Sequence, residues 1–134
     1  IVAHPDSMIG SDGQSLSTEG IMSSGKPHPR AFGTRACVLA RYVREKKLFS
    51  VEEAVKKMAA RPAARLGLSD RGVLKAGSFA DIVVFDPETV QDNATFENPK
   101  QYSTGFAAVI VNGRPALDDS RETDAFSGRV LRAQ

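Results

Sequence analysis

The hydrophobic period of this chain switches once, near Ser69-Asp70, and that switch points to helices packed beside a separate sheet. Residues 32–68 read as helical. Leu39, Tyr42 and Val43 stand at i, i+3, i+4 and give one helix an apolar stripe. Ser50 then offers an N-cap, and Glu53 follows at the spacing of a capping box. Behind it Val51, Ala54, Val55, Met58 and Ala59 complete the amphipathic pattern i, i+3, i+4, i+7, i+8. Pro62 is read as starting a further short turn that Gly67 ends. After the switch, residues 72–77 read as a strand entering a turn. Residues 80–85 are β-branched and apolar on both faces, which predicts a buried central strand stopped by Asp86-Pro87. Residues 106–111 predict a second strand, and Asn112-Gly113 predicts a hairpin returning the chain through Arg114 to Leu117. The tail, residues 118–134, is polar, with only Val130 and Leu131 to dock it. Two structural parts are expected, residues 1–68 and residues 69–134, neither of them self-sufficient.

Composition excludes several function classes. The net charge is +2, and Arg41, Arg44, Lys46, Lys47, Lys56, Lys57 and Arg61 lie on helix-like segments beside glutamates. That is a solvated helix face, so neither nucleic acid nor an anionic membrane is expected as a partner. No apolar run approaches the roughly 20 residues that span a bilayer, and no signal-peptide pattern is visible. A single cysteine, Cys37, rules out an internal disulfide and fits a reducing, cytoplasmic compartment. At 134 residues the chain has the length of one ordinary domain. It opens on Ile1, in mid-fold, which predicts a piece of a larger protein.

The chemistry-bearing residues cluster early. Residues 1–13 read as a strand running into a loop, where Met8-Ile9 leads through Gly10-Ser11 into Asp12-Gly13. A carboxylate at a strand's C-terminal end can ligate a divalent metal, or take a proton from water and return it to a leaving group. Asp-Gly is equally a common turn pair, so an Asx turn or helix cap stands as the plain alternative for Asp12. Residues 14–28 form a long irregular loop ending in His28-Pro29-Arg30. His28 there can contact substrate, and Arg30 can hold a carboxylate in a bidentate fork, although loop arginines commonly face water. His4-Pro5 reads as structural, and Cys37 as a small buried hydrophobe. With two histidines and one cysteine, a catalytic zinc site of about three protein ligands cannot be assembled from this chain.

Several longer segments carry a resemblance. The run from His4 through Gly10-Ser11-Asp12-Gly13, the run from Gly25 through His28-Pro29-Arg30 to Thr34, and Pro62-Ala63-Ala64-Arg65-Leu66-Gly67-Leu68 resemble N-acyl-D-amino-acid deacylases (D-aminoacylases) of the amidohydrolase superfamily. Asp70 to Gly77, Ala80-Asp81-Ile82-Val83-Val84-Phe85-Asp86-Pro87 and Val109-Ile110-Val111-Asn112-Gly113 are similar to amidohydrolase C-termini generally.

The resemblance implies a fold and an activity. The fold is α/β, the C-terminal slice of a metal-dependent (β/α)8 barrel, with its last strand, active-site loop and following helices in residues 1–68. Residues 69–134 are then part of a small composite β-sandwich. The implied reaction is zinc-dependent cleavage of an N-acyl-D-amino acid, a small-molecule partner, to a D-amino acid and a carboxylate. Asp12 matches the proton-shuttling aspartate, which can also contact the weaker metal site, and His28 and Arg30 match the loop at the active-site mouth. The remaining Zn2+ ligands would lie outside this chain, so the piece is expected to be inactive alone. Two other readings stay open: an amidohydrolase acting on cyclic amides, or a non-catalytic β-rich interaction module.

Overall fold

After a single 3-10 turn at Ile21–Ser23, helical backbone starts again at Arg30 and, with a single break, runs to Arg65 in a computed structural model that describes residues 1–131. The first arm is α1 (Arg30–Cys37), continued as π-type turns over Val38–Glu45. Lys47, at φ 49°, turns the chain toward the second arm. That arm is α2 (Val51–Val55), π-type turns over Lys56–Ala60, and α3 (Arg61–Arg65), without interruption. Pro62 therefore lies inside a helix and does not start one. The wider turns ahead of it bond the Arg61 N–H to the Lys56 carbonyl, a spacing that accommodates a residue with no N–H and a bulky ring.

Both ends of the second arm are closed locally. The Ser50 hydroxyl accepts the Glu53 N–H at 3.3 Å. Only that half of the capping box forms, because the Glu53 carboxylate takes Arg61 at 2.8 Å. At the far end Leu68 N–H donates to the Ala63 carbonyl at 2.9 Å and Gly67 N–H to that of Ala64 at 3.2 Å. With Gly67 at φ 73°, this is a Schellman cap. Along the arm Ala54 is buried as expected, whereas Val55 faces outward and Lys57 occupies the buried face.

The sheet contains β1 (Ile82–Phe85), β2 (Phe106–Val111), β3 (Arg114–Asp118) and β4 (Arg121–Glu122), antiparallel in that order. Asn112 and Gly113, at φ 50° and 78°, make the expected tight hairpin turn. Three expectations fail here. β1 is an edge strand, since β2 is its sole partner among the described residues, and Val83 and Val84 are 50% and 48% exposed. Residues 72–77 form turns and bends, because Gly72 and Gly77, at φ 82° and 85°, fold the chain back where a strand would extend it. The tail contributes β4, while Val130 and Leu131 lie exposed; residues 132–134 fall outside the described part.

The strand expected within residues 1–13 is also absent: the backbone makes turns over residues 2–6, is irregular beyond them, and bonds to no strand among the described residues. A strand exists only as part of a ladder, and no strand among the described residues pairs with it. One core joins the elements: Ala36, Val38, Leu39 and Ala54 from the arms meet Val90 from the loop after β1, with Ile9, Phe85 and Phe106 packed against them. Arg44 locks that loop down, donating to the carbonyls of Val90 at 2.7 Å and Pro87 at 3.1 Å.

Candidate active site

Residues 8–10 lead Asp12 to the front of α1, where the chain turns with Asp12 at φ 49°. Aspartate tolerates this left-handed conformation better than most residues. The turn itself is made by its neighbour, since the Ser11 hydroxyl accepts the Gly13 N–H at 3.2 Å. Asp12 thus neither forms an Asx turn nor caps a helix among the described residues. Its carboxylate instead meets Arg30, the first residue of α1, with Nη2 at 2.7 Å from Oδ2. Arg30 Nε also donates to the Asp12 carbonyl at 3.1 Å, so one guanidinium grips both side chain and backbone. The Asp12 side chain remains 86% exposed, and Oδ1 is left open for a further partner.

His28 belongs to the same cluster but plays a different local part. Its Nδ1 accepts the Arg30 N–H at 3.1 Å, satisfying a donor at the start of α1. The ring stands edge-on to Phe96, with centroids 4.9 Å apart. With Nδ1 accepting, the neutral ring carries its proton on Nε2. His4 is structural, as read: its Nδ1 accepts the Asp6 N–H at 3.3 Å in an exposed turn. Cys37 is half-buried; burial raises its thiol above the ordinary range, and the Asp92 carboxylate adds to that. It therefore keeps its proton at neutral pH and serves packing.

A cavity of about 480 Å³ opens beside this cluster, lined among others by Met8, Gly10, His28, Arg30, Cys37 and Phe96. Phe96 and Asp92 belong to the irregular loop between β1 and β2, and local sequence reading singled out neither. Asp92 lies so close to Gly33 of α1 that a Cβ there would fall 1.8 Å from its carboxylate oxygen. Gly33 is buried within α1, and a glycine inside a helical segment is the sequence signal that could have marked that close approach.

The metal question has a definite geometric answer. Among the described residues no three His, Cys, Asp or Glu side chains come together. A catalytic zinc site needs about three protein ligands. Asp12, with an open oxygen, fits as one donor to such a site and not as the site.

Comparison with known proteins identifies the family. Residues 8–117 match the amidohydrolase family, and the chain belongs to it. It is 47% identical over 131 residues to a D-aminoacylase of Alcaligenes xylosoxydans xylosoxydans, an alignment covering 98% of this chain and 26% of that enzyme. A crystal structure of D-aminoacylase superposes with a TM-score of 0.88 at 44% identity, over 98% of this chain and 26% of the other. An N-acyl-D-glutamate deacylase from Bordetella bronchiseptica, solved with zinc and a phosphonate mimic of the tetrahedral intermediate, superposes with a TM-score of 0.77 at 42% identity, over 94% of this chain and 26% of that one. The chain spans about a quarter of the length of these relatives.

Proposed function

We propose that this chain is part of a zinc-dependent deacylase that hydrolyses N-acyl-D-amino acids to a D-amino acid and a carboxylate. The observation that carries the reading is the placement of Asp12: an exposed carboxylate at a turn, held by Arg30 alone, with one oxygen open. Residues 1–68 are read as the end of a (β/α)8 barrel, with residues 8–13 supplying its last strand once neighbouring strands are present. Among the described residues that segment pairs with no strand, which supports this assignment. Residues 69–134 are read as part of a β-sandwich, which the half-exposed Val83 and Val84 of an edge strand support.

Asp12 would serve as one oxygen donor to a zinc ion whose other ligands lie outside this chain, and such an ion would lower the pKa of its water toward about 7. The chain's own contribution is proton handling and orientation. Asp12 takes a proton from the attacking water and delivers it to the amide nitrogen, which leaves only as an amine. Arg30, whose guanidinium reaches from Asp12 to the cavity, orients the substrate's carboxylate. His28 offers Nε2 at the cavity wall as a further contact to substrate. The partner is a small molecule. No helix of the described residues is long and apolar enough to cross a membrane, and the single cysteine fits a cytoplasmic setting.

The test uses the full-length protein with N-acetyl-D-methionine, its L enantiomer and a hydantoin. Hydrolysis of the D substrate alone is expected, and Asp12→Asn should lower kcat about 10²- to 10⁴-fold. Turnover of the hydantoin alone would reassign the substrate, and unchanged turnover in Asp12→Asn would remove the proton-shuttle role.

A further inference from the structure

Lys57 is one of the two largest side chains that the fold buries completely, at 1% exposure, and the chemistry described so far makes no use of it. Burying an ammonium costs several kcal/mol unless its donors are met. Here they are met by the residues that lead to Asp12. Nζ donates to the His4 carbonyl at 2.5 Å and to the Ser7 hydroxyl at 2.8 Å. The Ser7 carbonyl at 3.4 Å is a third acceptor, and the Glu53 carboxylate, with Oε1 at 3.7 Å, pairs with the charge. The Ser7 hydroxyl in turn lies 2.9 Å from the Val2 and His4 carbonyls, so residues 2–7 wrap around one cation.

The main chain of Lys57 continues the connection. Its carbonyl accepts the Ile9 N–H at 3.1 Å, and Arg35 donates to the Ile9 carbonyl at 3.1 Å from the other side. Ile9 is thereby pinned to both helical arms. Between Ile9 and Asp12 no backbone–backbone bond is made among the described residues. The position of Asp12 is set from behind by this anchorage and from in front by Arg30.

We propose that Lys57 is a positioning residue for Asp12, its ammonium fastening His4 and Ser7 and its carbonyl fastening Ile9, the segment that leads into the turn bearing the carboxylate. This rests on the deacylase reading above. A methionine would fill the same slot at similar length but would remove the ammonium that ties the His4 carbonyl and the Ser7 hydroxyl to the second arm. Misplacement of a reacting group by about 1 Å is enough to cost on the order of 10²-fold in rate.

The experiment is a double-mutant cycle in the full-length, zinc-loaded protein with N-acetyl-D-methionine. Lys57→Met is expected to lower kcat about 10- to 100-fold while KM and bound zinc stay within about twofold. In an Asp12→Asn background the same substitution should leave the residual kcat unchanged, because its effect travels through Asp12. Ser7→Ala removes a single acceptor and should lower kcat about threefold, again only when Asp12 is present; it decides the matter if Lys57→Met does not fold. A kcat loss that persists in the Asp12→Asn background overturns the proposal, and so does full kcat in the folded variants. Wild-type turnover in Asp12→Asn defeats the deacylase mechanism. An inactive Asp12→Asn beside a fully active Lys57→Met defeats the positioning role alone.

Discussion

Between residues 50 and 68 the chain closes its own backbone hydrogen bonds, whereas between residues 8 and 13 it depends on partners distant in sequence. The first stretch has Ser50 at one end, a Schellman cap at the other, and i→i+4 or i→i+5 bonds throughout. Residues 8–13 present an apolar pair and two glycines, yet the only backbone bond of Ile9 to another element reaches Lys57. The difference follows from where the acceptors lie. A helix finds them within five residues, but an extended segment must be given them by another element. The chemically loaded part of the molecule is thus the part least able to define itself.

That contrast can be broken or sharpened by substitution, most strongly at Gly72. This residue sits at φ 82°, and a Cβ there would fall 2.6 Å from the Ala63 Cβ and 3.0 Å from the Ala59 carbonyl of the second arm. Gly72→Ala should destabilise by about 2–4 kcal/mol, backbone strain and overpacking adding together. A lowered urea midpoint of the full-length protein checks this, and an unchanged midpoint would show that the arm tolerates displacement. Ser50→Ala tests the local half of the comparison and should cost about 1 kcal/mol, the ordinary worth of an N-cap. A much larger loss would mean that the arm's start is held by tertiary contacts after all.

The smallest effect concerns Glu53. The hydrogen bond from Arg61 holds its carboxyl below the ordinary 4.5. A depressed folded value means that stabilisation is present above 4.5 and is lost as the pH falls through the folded value. The melting temperature of Glu53→Gln should therefore lie below that of the wild type at about pH 6 and converge with it in acid. A gap that does not change with pH would show that the charge on Glu53 contributes nothing.

Legibility in the sequence tracked the same physics. The Ser50 cap, the Gly67 stop and the Asn112-Gly113 hairpin were readable because each is decided by a few adjacent residues. The buried central placement expected for residues 80–85 failed because an apolar run signals a tendency to be covered, while the neighbours that would cover Val83 and Val84 are decided elsewhere. Gly72 and Gly77 were read as strand residues although their left-handed backbone turns the chain. Asp12 and Arg30 were each singled out, but their pairing across 18 residues was not. Lys57 was assigned to a solvated face, since nothing local distinguishes a buried lysine from an exposed one.

The order of residues by itself determined the helical arm, its two ends, the hairpin and the family to which the chain belongs. These depend on short-range bonds, or on motifs long enough to be specific. Only the tertiary structure decided that β1 lies at an edge, that Lys57 turns inward onto the His4 and Ser7 oxygens, and that Asp12 meets Arg30. Each of those outcomes depends on which remote group supplies a hydrogen-bond partner or covers an apolar face, and spacing along a chain does not encode that distance.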